Sequence, residues 1–579
     1  MKAAAASERW LSRAVLALIL LALLIRVPLV VNMRLGRDET EHLHAAWAIA
    51  HGQVPYRDFW QLHPPLLYYL MAPIFSLMGE DLMIIYIGRG LMLLCIVLIL
   101  LQLYRIASKC FDPLTGLLAV LLLSYLLLWW RPAYHFRPDI PQTLLILVGL
   151  WRFMRGWERR SRSDFLASGA LLGMASLLLL KTLFPLVGLT LVFGLSAGLR
   201  RSARAIRENL TGLLLFVGAF ALPVILGGIL LWAAGAWPAF LRNTVIDSFR
   251  WPERFSPFRL MYPRVHFMFW ALALVGVGQT VTRMVRAAVV DEVRLSPLLA
   301  GVVTAAVYLF VMPAPYLQSA LPFLPLAAMY GAAVMRQVIA RALPPQAPWP
   351  AAPGDAAASG AWAPARLAWA GLTALLLLGV CVPPLRSLLV NMPPLSDQWA
   401  DRRQTIRDVL ALTSPGDSVF DAMGLYIFRP HATYYYWLSD AHLIWLRTGV
   451  IRESAIIDDI LRSHCKVIIF SQSALSRFPP HLLRFLQSHY VSTGLGGNNE
   501  IRVAGTVLHP DDLAVNRAAV SLVASTEYAV RSRGGAPKVY IDGQVYRAPL
   551  FLKQGGHQIV VEGTFQELTI LYSRALAIP

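Results

Sequence analysis

The sequence has 579 residues, of which 57% are hydrophobic and 15% charged, and its mean hydropathy is +0.56. A soluble globular protein is typically about 45–50% apolar and about 25% charged, so this composition excludes an ordinary soluble protein. The formal net charge of +19 does not indicate nucleic-acid binding, because the arginines cluster in short loops between apolar segments. Cytoplasmic loops of membrane proteins carry their arginines in this way.

Apolar segments long enough to span a bilayer, roughly 17–25 residues each, recur along the chain before Arg386 and not after it. The predicted spans lie near residues 11–31, 82–104, 114–130, 139–155, 164–180, 182–198, 210–234, 264–282, 296–312, 319–340 and 366–388. We therefore predict a polytopic α-helical membrane region over residues 1–390, with about 11–13 transmembrane helices.

The arginine-rich loops fall on one side of the membrane when the N-terminus is cytoplasmic. This threading predicts a multi-pass protein of the cytoplasmic (inner) membrane. It places a first outer loop, residues 32–81, and the chain from Leu389 onward on the extracytoplasmic (periplasmic) side. The apolar stretch from His63 to Gly79 is short for a span, and counting it as a crossing would invert the arginine loops. We predict that it forms an interfacial helix.

The first outer loop carries an acidic pair, Asp38 and Glu39, a few residues after the first span. A carboxylate held at this boundary is suited to take a proton from a hydroxyl or an amine, so both residues are candidate catalytic groups. Acidic residues also favour helix N-termini, and a capping role explains the pair equally well.

Several other polar residues fall on the same predicted side and are candidate substrate-binding groups. They are Arg57, His63, Arg137, Asp139, Lys181, Tyr316 and Gln318. Arginine and lysine at this level suit a lipid phosphate, but long basic side chains also simply extend to the interface from apolar helices. Asp139 follows Pro138 at the start of a span, where helix capping alone accounts for it.

The sequence predicts no metal site. Its four cysteines, Cys95, Cys110, Cys381 and Cys465, show no metal-binding or disulfide spacing. His42 and His44 are two residues apart and do not share a face of a helix.

After the last span the composition changes to that of a soluble tail. We predict an extracytoplasmic α/β domain over residues 391–515, with a buried strand at 466–470. Residues 538–546 alternate around an Asp-Gly turn, and residues 557–561 continue the pattern as a further strand. The module at 516–579 resembles a small β-sandwich of the PEGA type or a sugar-binding-like module, and a spacer or acceptor-docking role fits it as well as carbohydrate binding. The aromatic segment from Phe428 to Trp437 is able to contact a sugar or pack on the membrane region, and we favour packing.

Four sequence features, taken in order, resemble the GT-C glycosyltransferases. They are the Asp-Glu pair at 38–39, Pro-Tyr-Arg-Asp-Phe-Trp at 55–60 with His-Pro-Pro-Leu at 63–66, Arg-Pro-Asp at 137–139, and Tyr-Leu-Gln at 316–318 followed by Pro322 and Pro325. The similarity covers roughly residues 10–340 and indicates the protein mannosyltransferase and aminoarabinose transferase-like branch.

The resemblance implies an inverting glycosyltransferase with Asp38 as the general base. Such an enzyme moves a monosaccharide, a hexose or a pentose, from a polyprenyl-phosphate donor to an extracytoplasmic acceptor, which is a lipid, a polysaccharide or a protein. His63 occupies a position that is basic in some members, and histidine titrates near neutrality, so Lys181 or Arg137 is an alternative phosphate ligand. No cofactor is expected in this branch, although related oligosaccharyltransferases use a divalent metal, and that option stays open. The bilayer is the other expected partner.

Two other function classes fit a polytopic chain with basic inner loops. A transporter or flippase of a lipid-linked or anionic substrate is expected to place charged sites near the bilayer midplane and to show repeat symmetry. The sequence shows neither feature. A non-catalytic scaffold that presents the tail is the third possibility.

Overall fold

The computed structural model describes residues 2–200, 202–256, 266–287, 291–342, 363–391, 397–470, 477–497 and 499–578. The region up to residue 391 is helical. Its helices are α1 (Lys2–Asn32), α2 (Arg37–Ala50), α3 (Leu66–Met78), α4 (Met83–Cys110), α5 (Pro113–Tyr125), α6 (Leu127–Ala133), α7 (Asp139–Arg159), α8 (Arg162–Ser176), α9 (Leu183–Arg200), α10 (Ala203–Ala233), α11 (Trp237–Phe240), α12 (Asp247–Phe249), α13 (Phe267–Ala287), α14 (Glu292–Phe310), α15 (Leu324–Ala342) and α16 (Ala363–Asn391).

Within the described residues, seven helices are long and apolar enough to cross a membrane, or up to eight if the bent pair α5 and α6 forms one span. The pair bends by 64° at Leu126, inside the span predicted at 114–130. Predicted spans at 139–155, 164–180 and 319–340 fall on α7, α8 and α15, which are too short or too polar for this class. The predicted polytopic helical architecture is confirmed, and the count by these criteria is below the predicted 11–13.

Helix α3 contains 13 residues and is therefore about 20 Å long at 1.5 Å per residue. The hydrocarbon core of a bilayer is about 30 Å thick, so α3 cannot cross it alone. It packs against α2, whose residues Glu39 to Ala48 are all buried. The first loop is thus a packed element of the protein that holds its polar residues in fixed positions.

The tail begins with helix α17 (Ala400–Leu412) and combines further short helices with strands. The helices are α18 (Asp440–Arg447), α19 (Glu453–Arg462) and α20 (Pro480–His489). The strands are β1 (Val419–Asp421), β2 (Val467–Phe470), β3 (Tyr490–Ser492), β4 (Glu500–Leu508), β5 (Arg517–Leu522), β6 (Thr526–Arg533), β7 (Lys538–Ile541), β8 (Gln544–Val545), β9 (Leu550–Leu552), β10 (Gly555–Glu562) and β11 (Glu567–Tyr572).

The strands form a seven-stranded sheet, ordered β1-β2-β4-β11-β6-β9 with β3 beside β4, and a four-stranded sheet, ordered β5-β10-β7-β8. Strand β11 lies antiparallel to β4, with Leu568 opposite Leu508. This pairing joins the parts on either side of residue 515 that we predicted as separate modules. In the described tail, the seven-stranded sheet therefore contains strands from both sides of residue 515.

The tail packs directly on the first loop and the end of α1. Trp399 Nε1 donates to Val31 O at 3.2 Å, and Trp60 N donates to Tyr434 O at 2.9 Å. Trp60 is 1% exposed and belongs to the hydrophobic core of the tail. The predicted packing of the segment from Phe428 to Trp437 against the membrane region is present.

Candidate functional site

Glu39, at the start of α2, is held in a closed set of contacts. Arg89, from the second turn of the apolar helix α4, donates from Nε and Nη2 to its two oxygens, each at 2.8 Å. His135 Nδ1 lies 2.9 Å from Oε2, and Phe136 N donates to Oε1 at 3.2 Å. Burial alone would raise the pKa of Glu39, but Arg89 and His135 outweigh it and hold the pKa far below its usual value. The carboxylate is fully buried and its oxygens are occupied.

Gly36, just before α2, lies in close contact with the His135 ring. A Cβ atom added at Gly36 would lie 3.1 Å from two atoms of the His135 ring, tighter than most real contacts. The backbone N–H of Gly36 also donates to Glu39 Oε2, at 3.4 Å. The missing side chain therefore lets the loop before α7 lie against the start of α2.

Asp38, one residue earlier, is placed differently. Its carboxylate forms an ion pair with Arg137 and its side chain is 37% exposed. Burial raises the pKa of Asp38, but the Arg137 guanidinium, with smaller contributions from His135 and His63, brings it below its usual value. Asp38 is thus ionised at neutral pH and has one side open for a substrate.

Arg137 links Asp38 to a second carboxylate and, through it, to a lysine. Its Nε lies 3.4 Å from Asp139 Oδ2, and Lys181 Nζ lies 3.5 Å from Asp139 Oδ1. Lys181 also donates to Ser319 Oγ at 2.8 Å. We call Asp38, Arg137, Asp139 and Lys181 the charge chain. Its members come from α2, the segment before α7, the first residue of α7 and the 3₁₀ turn Leu180–Thr182.

His63 lies beside the charge chain, close enough for its titration to respond to all four members. Burial lowers its pKa first, and Lys181 and Arg137 add to the effect, so that the pKa is about 4. Its ring centroid lies 5.6 Å from that of His42. His63 is therefore neutral at neutral pH and does not supply a permanent positive charge.

A further carboxyl group, Glu41, follows Asp38 by three residues on α2 and is 4% exposed. Burial and the charge of Asp38 raise the pKa of Glu41 well above its usual value. The site thus contains an ionised carboxylate, Asp38, close to a carboxyl group whose pKa is raised.

Three predicted substrate-binding residues remain. Tyr316 accepts a hydrogen bond from Trp251 Nε1 at 2.9 Å and donates to Glu253, and Asp38 is near enough to contribute to the raised pKa of its hydroxyl. Gln318 is half-buried beside Ser319. Arg57 pairs with its neighbour Asp58 at 2.8 Å, is 49% exposed and is not brought into the charge chain.

The family of dolichyl-phosphate-mannose-protein mannosyltransferases matches residues 62–226 of the chain. No protein among the curated sequences matches it. Two solved proteins share its architecture. ArnT from Cupriavidus metallidurans in the apo state is 15% identical over 86% of this chain and 98% of its own, with a TM-score of 0.56. The Archaeoglobus fulgidus oligosaccharyltransferase AglB, in complex with an inhibitory peptide and a dolichol-phosphate, is 12% identical over 83% of this chain and 72% of its own, with a TM-score of 0.51.

The chain has the GT-C glycosyltransferase fold. This confirms the resemblance that the sequence motifs indicated. The matched family range begins at residue 62, so it includes His63, Arg137, Asp139 and Lys181 and leaves Asp38 outside.

Sequence reasoning missed two residues that shape the candidate site, Arg89 and His135. Arg89 carried a usable signal, because an arginine in an otherwise apolar span is expensive unless it has a partner. His135 carried none. The described part of the chain contains no group of three or more His, Cys, Asp or Glu residues arranged to hold a metal ion.

Proposed function

We propose that this GT-C protein is an inverting glycosyltransferase that moves a monosaccharide from a polyprenyl phosphate to an extracytoplasmic acceptor, with Asp38 as general base. The observation that carries the proposal is the charge chain, in which the open carboxylate of Asp38 pairs with Arg137, and Asp139 joins Arg137 to Lys181. ArnT has also been solved bound to undecaprenyl phosphate, with a TM-score of 0.54 and 14% identity. AglB has been solved with a dolichol-phosphate. Both support a donor of this class.

The charge chain suits the chemistry of that reaction. The oxygen or nitrogen of the acceptor bonds to the anomeric carbon of the sugar from the face opposite the phosphate. Asp38 takes the proton that this acceptor hydroxyl or amine loses. The bond between that carbon and the phosphate oxygen breaks, and the polyprenyl phosphate leaves with the electron pair. Lys181 and Arg137 stabilise the charge that develops on the phosphate, an effect that water-poor surroundings strengthen.

The proposal gives the other residues different tasks. Glu39 has no free oxygen, so we assign it a positioning role: it ties α2 to α4 and fixes the backbone next to Asp38. The neutral His63 is assigned to hydrogen bonding, and the phosphate charge is left to Lys181 and Arg137. Two further residues are proposed to contact the substrate: Gln318, in the turn Leu317–Ala320, and Tyr316, directly before that turn. Arg57 pairs with Asp58, and we assign it only a contact with the membrane interface.

The positive-inside pattern supports a multi-pass protein of the cytoplasmic membrane with this site on the periplasmic side. Packing of the tail against the first loop requires both on the same face of the membrane. An acceptor that reaches the tail from outside the membrane is therefore also close to Asp38.

Transfer of label from a radioactive polyprenyl-phosphate sugar tests the proposal. Membrane vesicles that contain the full chain are supplied with a panel of hexosyl and pentosyl donors, and their own envelope components serve as acceptors. Asp38→Asn should lower the rate by about 10²–10⁴-fold, the usual contribution of a positioned acid or base. The matched control is Asp81→Asn, since Asp81 is exposed and its Oδ1 only accepts from Met83 N.

Equal rates for Asp38→Asn and wild type would remove Asp38 from the base role. If neither form cleaves any donor but intact donor crosses the membrane, the protein is a flippase, because a flippase leaves the sugar–phosphate bond unbroken. If neither event occurs with any donor, the scaffold interpretation replaces the enzyme.

A further inference from the structure

A cleft of about 240 Å³ opens in the tail, between its α/β part and its β-rich part. Its lining comprises Ser414, Lys466, Ser525, Thr526, Glu527, Phe551, Tyr572, Ser573 and Arg574. Pockets for drug-sized ligands typically measure about 300–1,000 Å³. The cleft therefore suits a smaller occupant, or one or two units of a longer chain that extends out of it.

One wall of the cleft is aromatic and open. Phe551, on strand β9 at the end of the seven-stranded sheet, is 60% exposed, while Tyr572 beneath the cleft is 4% exposed. An exposed aromatic ring offers a flat apolar surface at a low cost in conformational entropy. One face of a pyranose ring, built of C–H groups, fits such a surface.

The polar groups of the cleft balance in charge. Lys466 is neutralised by Asp417, whose Oδ1 lies 2.6 Å from its Nζ. The remaining charges are Glu527 and Arg574, one of each sign, and neither has an ion pair or side-chain hydrogen bond within the part of the chain that the structure describes. The cleft therefore has no excess of cationic side chains that would favour an anion over a neutral ligand.

Hydroxyl groups surround this balanced pair. Ser525 Oγ accepts a hydrogen bond from Gln554 N at 2.9 Å, which leaves its own proton available. A free carboxylate accepts from sugar hydroxyls, and a free guanidinium donates to them. We infer that the cleft is a binding site for a neutral, hydroxyl-rich saccharide, stacked on Phe551 and hydrogen-bonded to Glu527 and Arg574. The inference does not depend on glycosyl transfer, because binding needs neither donor nor Asp38.

Ligand-observed saturation-transfer NMR on the full chain in nanodiscs tests this site. The probes are cellotetraose, mannotetraose and β-1,4-galactotetraose as neutral chains, with tetragalacturonate as the acidic counterpart. At least one neutral chain should show saturation of its ring C–H protons. Phe551→Ala should weaken that binding at least about fivefold, in line with the loss of one aromatic contact. Arg574→Gln should weaken it as well, and Arg547→Gln, at an exposed arginine outside the cleft, should not.

Three outcomes would overturn the inference. They are no saturation transfer to any neutral chain, binding of tetragalacturonate in preference to all neutral chains, and neutral binding that survives both Phe551→Ala and Arg574→Gln. Both variants alter exposed side chains. A melting temperature of the tail equal to that of wild type confirms that the variants fold. Asp38→Asn should bind the neutral chain like wild type, so a failure of the proposed transfer remains separate from a failure of this site.

Discussion

Replacing Glu39 with glutamine tests whether the buried ion pair holds the first loop in place. Glu39 and Arg89 are both 0% exposed and share two hydrogen bonds of 2.8 Å. The variant leaves the Arg89 guanidinium buried without a counter-ion, because the neutral amide offers one acceptor oxygen in place of two charged ones, beside the backbone carbonyls of Val30, Met33 and Arg34. Breaking a buried pair in this way typically costs about 3–5 kcal/mol. We expect Glu39→Gln to lower the free energy of unfolding by that amount.

The assay is SDS-induced unfolding of the purified chain in mixed micelles, followed by tryptophan fluorescence. The double variant Glu39→Met/Arg89→Met should recover much of the loss, because apolar side chains of similar size often replace a buried pair at little cost. Recovery should be incomplete, since Phe136 N loses its acceptor.

The matched control is Glu158→Gln, which breaks the pair with Lys109. Those side chains are 40% and 37% exposed, and exposed pairs contribute at most about 1 kcal/mol. A loss below about 1 kcal/mol for Glu39→Gln, or a double variant less stable than Glu39→Gln, would refute the reasoning.

Three further outcomes follow from the same structure. Arg137→Gln removes the main cation beside Asp38, so the pKa of Asp38 should rise and the acidic limb of the pH–rate profile should move to higher pH; an unmoved limb would separate Arg137 from the base. Trp60→Ala should cost about 3–5 kcal/mol and speed proteolysis of the tail, whereas Trp10→Ala, at a side chain that is 72% exposed, should change neither. Burial and mutual repulsion lower the pKa of His44 to about 3, and burial lowers that of His431 to about 4, with their rings joined by a 3.0 Å contact. The unfolded chain then binds more protons between about pH 4 and 6.5, so stability should rise with pH through that window and be lost as the pH is lowered. Melting curves of His44→Gln/His431→Gln that keep the wild-type slope would contradict this.

The membrane helices were predictable because each apolar run is a local signal. The same holds for the polar residues at run ends, such as Asp139 and Lys181, since a charge beside an apolar span is conspicuous by itself. The contacts among them were not predictable. Asp38 and Arg137 are 99 residues apart, and only the packing of α2 against the helices around it brings them together.

The roles within the Asp-Glu pair were equally hidden in the sequence. Both acids looked alike as candidates, and the structure separates them by burial: Asp38 is 37% exposed and Glu39 is enclosed. The partner that encloses Glu39 is Arg89, which the hydropathy pattern had absorbed into a span. In the tail, alternation indicated strands within 538–546 and at 557–561, but period-two patterns do not reveal which strand neighbours which.

The position of β11 has a consequence for biogenesis. This strand, residues 567–572, lies between β4 and β6 in the sheet. Residues 500–508 are synthesised well before it, so the edge of β4 that pairs with β11 stays open until residue 572 has emerged, and an open strand edge is prone to pair with other chains. The seven-stranded sheet can therefore be completed only after β11, the last of its strands in the sequence, has been synthesised.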